Sequence, residues 1–162
     1  MMKHRRISEV VGAVSLLTML SAPALAGHKA SLDGFNEVPA ISTTGEGKFK
    51  AQISNDETTI EYELSYSGLE GGATLAAHIH LGQSDVNGGV MAFLCGGGGK
   101  PACPASGTVT GTIVAADIIG PAGQGIAVGE LDEVIEAIRA GKAYANVHTA
   151  TYPGGEIRGQ LK

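Results

Sequence analysis

Two histidines stand two residues apart in Ala76-Ala77-His78-Ile79-His80-Leu81-Gly82, in a chain of 162 residues with five histidines. Residues i and i+2 of a strand share a face, roughly 6.5–7 Å apart at Cα, so imidazoles so placed can reach one ion. A third ligand must then come from another strand. His148 is the candidate, because Tyr144, Asn146 and His148 share one face of "AYANVHT". Three neutral imidazoles suit Zn²⁺ or Cu²⁺ better than Mg²⁺ or Ca²⁺. Three protein ligands would leave a position open for water or substrate. The alternative is a hydrogen-bonded polar network on the strand face.

Other charged groups could serve such a site. If the turn "ATYPGG" is symmetric, His148 lies opposite Glu156, which could ligate an ion or orient a histidine from behind. Arg158 and Gln160 share the face of Glu156. Glu37 in "FNEVP" could pair with Arg158 or face the histidines; the plainer alternative is a loop carboxylate satisfied by backbone amides. The tripeptide Gly27-His28-Lys29 becomes a second copper candidate if the chain is cut after Ala26. The new amine, the His28 amide nitrogen and its imidazole would suit tetragonal Cu(II), unless the tripeptide is a coincidence. No serine sits in a Gly-x-Ser-x-Gly elbow, and "GGGGK" lacks P-loop spacing.

Cleavage after Ala26 is what the first residues predict. Lys3, His4, Arg5 and Arg6 form a basic start, an apolar run follows from Val10 to Leu20, and "SAPALA" ends in small residues. Residues 1–26 therefore read as a signal peptide, with an uncleaved anchor as the alternative. Residues 27–162 read as one domain, exported to a periplasm or the cell exterior. Their formal net charge is −7, against −5 for the whole chain. No basic patch is visible along the sequence, which argues against nucleic acid. No later segment is apolar for long enough to span a membrane. A protein or small-molecule partner and the oligomeric state stay open.

Cys95 and Cys103 are the only cysteines, with seven residues between them in a glycine-rich stretch. In an exported chain such a pair reads as a disulfide, with a two-thiolate metal site as the alternative.

Short strands must position these groups. "GKFKAQIS" and "TTIEYELSYS" alternate apolar and polar residues around the turn "NDE", a hairpin pattern. "KASLDG", "ATLAAHIHL", "GVMAFL", "GTVTGTIV", "AYANVHT" and "EIRGQL" complete about eight strands. In "ATLAAHIHL" the alternation predicts Leu75, Ala77, Ile79 and Leu81 in the core, with His78 and His80 opposite. One segment differs: Leu131, Val134, Ile135 and Ile138 fall at i, i+3, i+4 and i+7, which predicts one short helix near 130–140. Asp132 and Glu133 favour its start, and Gly141 can supply a left-handed cap. Many short strands with glycine-rich turns and one helix predict a mainly β, antiparallel sandwich.

"LDGFNEVP", "AHIHLG…NGGVMAFLC" and "RAGKAYANVHTATYPGGEIRGQL" resemble the CHRD domain, named from chordin and found in exported bacterial proteins. The resemblance implies an immunoglobulin-like β-sandwich across about Ala30 to Leu161, and no assigned activity. The first functional reading is therefore a non-enzymatic binding or structural module, in which a transition metal held by His78, His80 and His148 would serve stability or metal handling. The other functional class is a mononuclear copper or zinc enzyme or redox protein. His78 and His80 also resemble the copper-ligating His-x-His pair of copper/zinc superoxide dismutase, another β-sandwich. After residue 26 only His28, His78, His80 and His148 remain, too few for that family's full two-metal centre.

Overall fold

A computed structural model describes residues 27–162. The signal peptide expected at residues 1–26 lies outside the described residues. Eight strands form: β1 (His28–Asp33), β2 (Glu46–Ile53), β3 (Ile60–Ser67), β4 (Thr74–Leu81), β5 (Val90–Cys95), β6 (Gly107–Ile113), β7 (Ala143–Thr149) and β8 (Ile157–Gln160). One α-helix, α1 (Leu131–Arg139), precedes β7. Among the described residues no helix is long and apolar enough to cross a membrane.

Local chemistry explains the elements. β2 and β3 pair in register from Glu46 opposite Ser67 to Ile53 opposite Ile60. Asp56 ties their turn by accepting from the Ser54 and Thr58 hydroxyls at 2.7 and 2.9 Å, the side-chain mimicry that favours aspartate in turns. α1 buries Leu131, Val134, Ile135 and Ile138, the stripe that the spacing predicts. It ends on Gly141 at φ +66°. There the Gly141 amide donates to the Ile138 carbonyl and the Lys142 amide to that of Ala137, a Schellman motif whose left-handed residue favours glycine.

The strands are all antiparallel and form one sheet in the order β5-β4-β7-β8-β1-β2-β3-β6. This refines the sandwich expectation: β8 pairs with both β7 and β1, so the two layers are halves of one curled, near-closed sheet. The Tyr62 hydroxyl of β3 donates to the Leu94 carbonyl of β5 across the remaining gap, at 2.7 Å. Phe49, Leu64, Ile79, Leu94, Val147 and the α1 stripe fill one continuous core.

Cys95 and Cys103 form a disulfide, as their spacing predicts. It pins the glycine-rich loop after edge strand β5. For so short a loop the chain-entropy model gives about 2.5 kcal/mol. Reduction is expected to lower stability by about that amount in urea melts, and unreduced, unfolded protein should show no reactive thiol. Two reactive thiols in protein made in an oxidising compartment would refute the pairing.

Leu75 corrects one expectation. It is 49% exposed rather than in the core, while Ala77 and Ile79 are fully buried. The β4–β7 register shifts between Thr74 and Ala76, and this irregularity breaks the alternation that would have turned Leu75 inward.

Candidate metal centre

β7 is buried along its whole length. Ala143, Ala145 and Val147 belong to the core, and the alternation turns Tyr144, Asn146 and His148 to the other face. On that face His78 stands opposite Asn146, and His80 opposite Tyr144. Arg158 stands opposite Asn146 from β8. This outer layer is polar but buried, beneath loops 34–45, 82–89 and 150–156, which contact it through Glu37, Gly88 and Pro153. Asn87 joins two of them by donating to the Val38 carbonyl at 2.8 Å.

The three histidines converge. His78, His80 and His148 are at most 9% exposed, and one ring nitrogen from each lies within 4.8 Å of the other two. Backbone carbonyls select their tautomers. His80 Nδ1 is 3.0 Å from the Gly88 carbonyl and His148 Nδ1 is 3.0 Å from that of Pro153. A carbonyl can only accept, so both Nδ1 atoms carry protons and both Nε2 atoms present lone pairs. His78 Nδ1 lies 2.9 Å from His148 Nε2 and donates to it. The Nε2 atoms of His78 and His80 are buried without any partner. Buried polar atoms left unpaired are costly, and an ion would use these lone pairs in place of the His78–His148 hydrogen bond.

Charge and packing complete the site. The Arg158 guanidinium sits 3.4 Å over the Tyr144 ring, and that ring stacks on His80 with centroids 4.7 Å apart. Arg158 also donates to the carbonyls of Gln83 and Val86, at 3.0 and 2.8 Å. The Tyr144 hydroxyl accepts from the Gly88 amide at 3.1 Å. Arg158 thus anchors the loop whose Gly88 carbonyl fixes His80.

Glu37 reaches the same layer, accepting from the Asn146 side-chain amide at 3.3 Å. Gly155 leaves room for this pair: a Cβ there would come within 2.5 Å of Glu37 Oε1 and Asn146 Oδ1. Glu156 is placed differently. Its carboxylate accepts from the Thr43 and Thr149 hydroxyls and the Glu70 and Gly71 amides, at 2.6–2.9 Å. It makes no hydrogen bond to a histidine. His28 opens β1 opposite Ala51 and is not part of the cluster.

The CHRD domain family matches the chain over residues 28–161. The chain belongs to the CHRD domain family. No curated protein and no solved structure matches it significantly.

Burial sets the electrostatics of this CHRD domain's polar layer. It drives the His78 pKa down to about 3, helped by the neighbouring His148 and His80. His80 falls to about 4, chiefly by burial, against the pull of the Gly88 hydrogen bond. His148 is lowered by burial as well, against its bond to Pro153. All three rings are therefore neutral at pH 7, the state a metal requires. Burial pushes the Glu37 carboxyl up to about 7, although Arg158 and Asn146 oppose the rise. Burial also pushes Glu156 upward, but its hydrogen bonds outweigh that and hold its pKa below the usual range.

Two opposite pH dependences follow for the metal-free protein. Between pH 6.5 and about 3 the unfolded histidines gain protons that the folded ones refuse, so their contribution to stability falls as pH drops. Glu37 acts in reverse: between pH 4.5 and about 7 the unfolded carboxyl ionises while the folded one keeps its proton, so stability falls as pH rises. Glu37→Gln should therefore gain stability relative to the parent from pH 4.5 to 7.5, by up to about 3 kcal/mol. Urea melts with chelator at both pH values measure this. A constant difference between the two would refute the assignment.

Tyr144, Phe93 and the loop carbonyls were not legible as site groups. Phe93 meets His78 edge-on at 4.4 Å. Only the alternation of "AYANVHT" hinted that Tyr144 shares the face of His148.

Proposed function

We propose that this CHRD domain is a non-enzymatic, exported binding module that holds one copper or zinc ion through His78, His80 and His148. The observation that carries this is the tautomer pattern: two carbonyls hold protons on Nδ1, leaving Nε2 lone pairs in a buried layer. Such backbone partners behind metal-ligating histidines are a recurrent feature of metal sites. Three imidazoles suit copper or zinc. Glu37 and Arg158 would act from behind the ligands, and Arg158 would hold loop 82–89 in place.

Export is supported by the sequence of residues 1–26 and by the Cys95–Cys103 disulfide, which fits an oxidising compartment. A periplasm and the cell exterior both meet that condition. Cleavage after Ala26 would also create the Gly27-His28 amine–imidazole set, a separate, half-buried copper site.

The second reading, a mononuclear copper or zinc enzyme or redox protein, rests on the open coordination position that three protein ligands leave. Burial of all three side chains beneath loops favours holding an ion over turning over a substrate. The deciding experiment measures metal in protein purified from an oxidising compartment, and again after loading with copper or zinc. Stoichiometric metal without turnover supports the module, and metal with turnover supports the enzyme. No metal above background in either preparation would sink both.

A further inference from the structure

The outer face of β8, β1 and β2 gathers lysines that lie far apart in the sequence. Lys29 stands opposite Lys50 on β2. On its other side it exchanges two 2.9 Å backbone hydrogen bonds with Lys162, just beyond β8. Three lysines thus stand abreast, on β2, on β1 and in the segment that continues β8, where neighbouring backbones lie about 4.8 Å apart. Lys48 lies one row away, opposite Ser31. These four lysines line an open groove of about 580 Å³.

Like charges directly opposite one another destabilise a sheet, so the row has a cost that the fold does not require. Glu63 relieves Lys50 at 2.9 Å. Among the described residues no carboxylate lies within 4.0 Å of Lys29, Lys48 or Lys162. Asp33 also lines the groove, but both its oxygens accept from Asn36, at 3.0 and 2.8 Å. Of the other described bases, Lys100 pairs with Asp117, Arg139 pairs with Glu57 and Arg158 is buried; Lys142, after α1, stands exposed and alone. In an acidic domain, this groove concentrates the unpaired positive charge.

We propose that the groove binds a linear acidic polysaccharide, carrying uronate or sulfate groups. The lysine row meets its repeating anions. Ser31, Ser84 and Asn36, which line the same groove, meet its hydroxyls. Lysines act as mobile point charges, suited to a repeating anion and not to bidentate capture of a single phosphate. The aromatic side chain lining the groove, Phe49, is fully buried, so no platform for stacking bases is present there. The site is independent of the histidine cluster.

The test titrates the full chain with polygalacturonate, dextran sulfate, neutral dextran and single-stranded oligothymidylate at low salt. One or both acidic glycans are expected to bind, neutral dextran is not, and the comparison separates uronate from sulfate. Three to four lysines should give a log–log salt slope of roughly two to three. Lys29→Gln combined with Lys48→Gln and Lys162→Gln should weaken binding by about ten-fold or more, and Lys142→Gln, outside the groove, should not. The triple variant should melt at the parent's temperature or above it, because like-charge opposition is relieved. Lys29→Gln and Lys48→Gln singly should each weaken binding by about three-fold. Absence of binding to both acidic glycans, full binding by the lysine variants, or tighter binding of oligothymidylate would overturn the proposal.

Discussion

His80→Ala is expected to abolish tight copper or zinc binding. Loss of a residue that merely orients a ligand costs 10–100-fold in affinity, so loss of the ligand itself should exceed about 100-fold. The effect should also be visible as stability. An ion at 100 times its dissociation constant stabilises the folded state by about 2.7 kcal/mol, and that increment should vanish in the variant. His148→Ala should behave alike, since its Nε2 is one of the three converging donors. Melting curves with chelator and with added metal separate this effect from a folding defect, because only the metal-dependent difference is compared. Retention of that difference in His80→Ala would show that the ion sits elsewhere; Gly27 and His28 would then be the place to look.

Arg158→Met carries the second large effect, an expected loss of about 3–5 kcal/mol. Methionine replaces much of the stem but none of the donors. Arg158 is 2% exposed, and its removal strands the Gln83 and Val86 carbonyls and the Asn87 side-chain oxygen. It also removes the cation from the Tyr144 face. Because Arg158 holds loop 82–89, the Gly88 carbonyl would no longer be fixed on His80, and metal affinity should fall by about 10–100-fold. Arg158→Lys should recover little, since an ammonium lacks the planar fork that reaches several acceptors. Urea denaturation measures the first effect and metal titration the second. A cost below about 1 kcal/mol would refute the anchoring role.

Much of the architecture was legible along the chain because it rests on local periodicity. The alternation in "GKFKAQIS" and "TTIEYELSYS", the i, i+3, i+4, i+7 stripe of α1 and its Gly141 cap each depend on neighbours within a few residues. The Cys95–Cys103 disulfide was legible for the same reason. Leu75 marks where this logic ends: a register shift in β4 breaks the alternation, and no residue type announces it. The sandwich expectation met a similar limit, since only strand pairing reveals that β8 joins the two halves.

What the sequence by itself determined is the set of groups and the faces they occupy: His78 with His80, His148 with Tyr144 and Asn146, and Arg158 with Gln160. Only the tertiary structure decided that these faces meet, that three loops cover them, and that the carbonyls of Gly88 and Pro153 set the tautomers. It likewise brought Lys29 of β1, Lys48 and Lys50 of β2, and Lys162 just beyond β8 into one groove. The physical reason is common to all of these. Convergence depends on strand order and register, which arise from packing over the whole chain, whereas side-chain direction within a strand follows from the two-residue pleat alone.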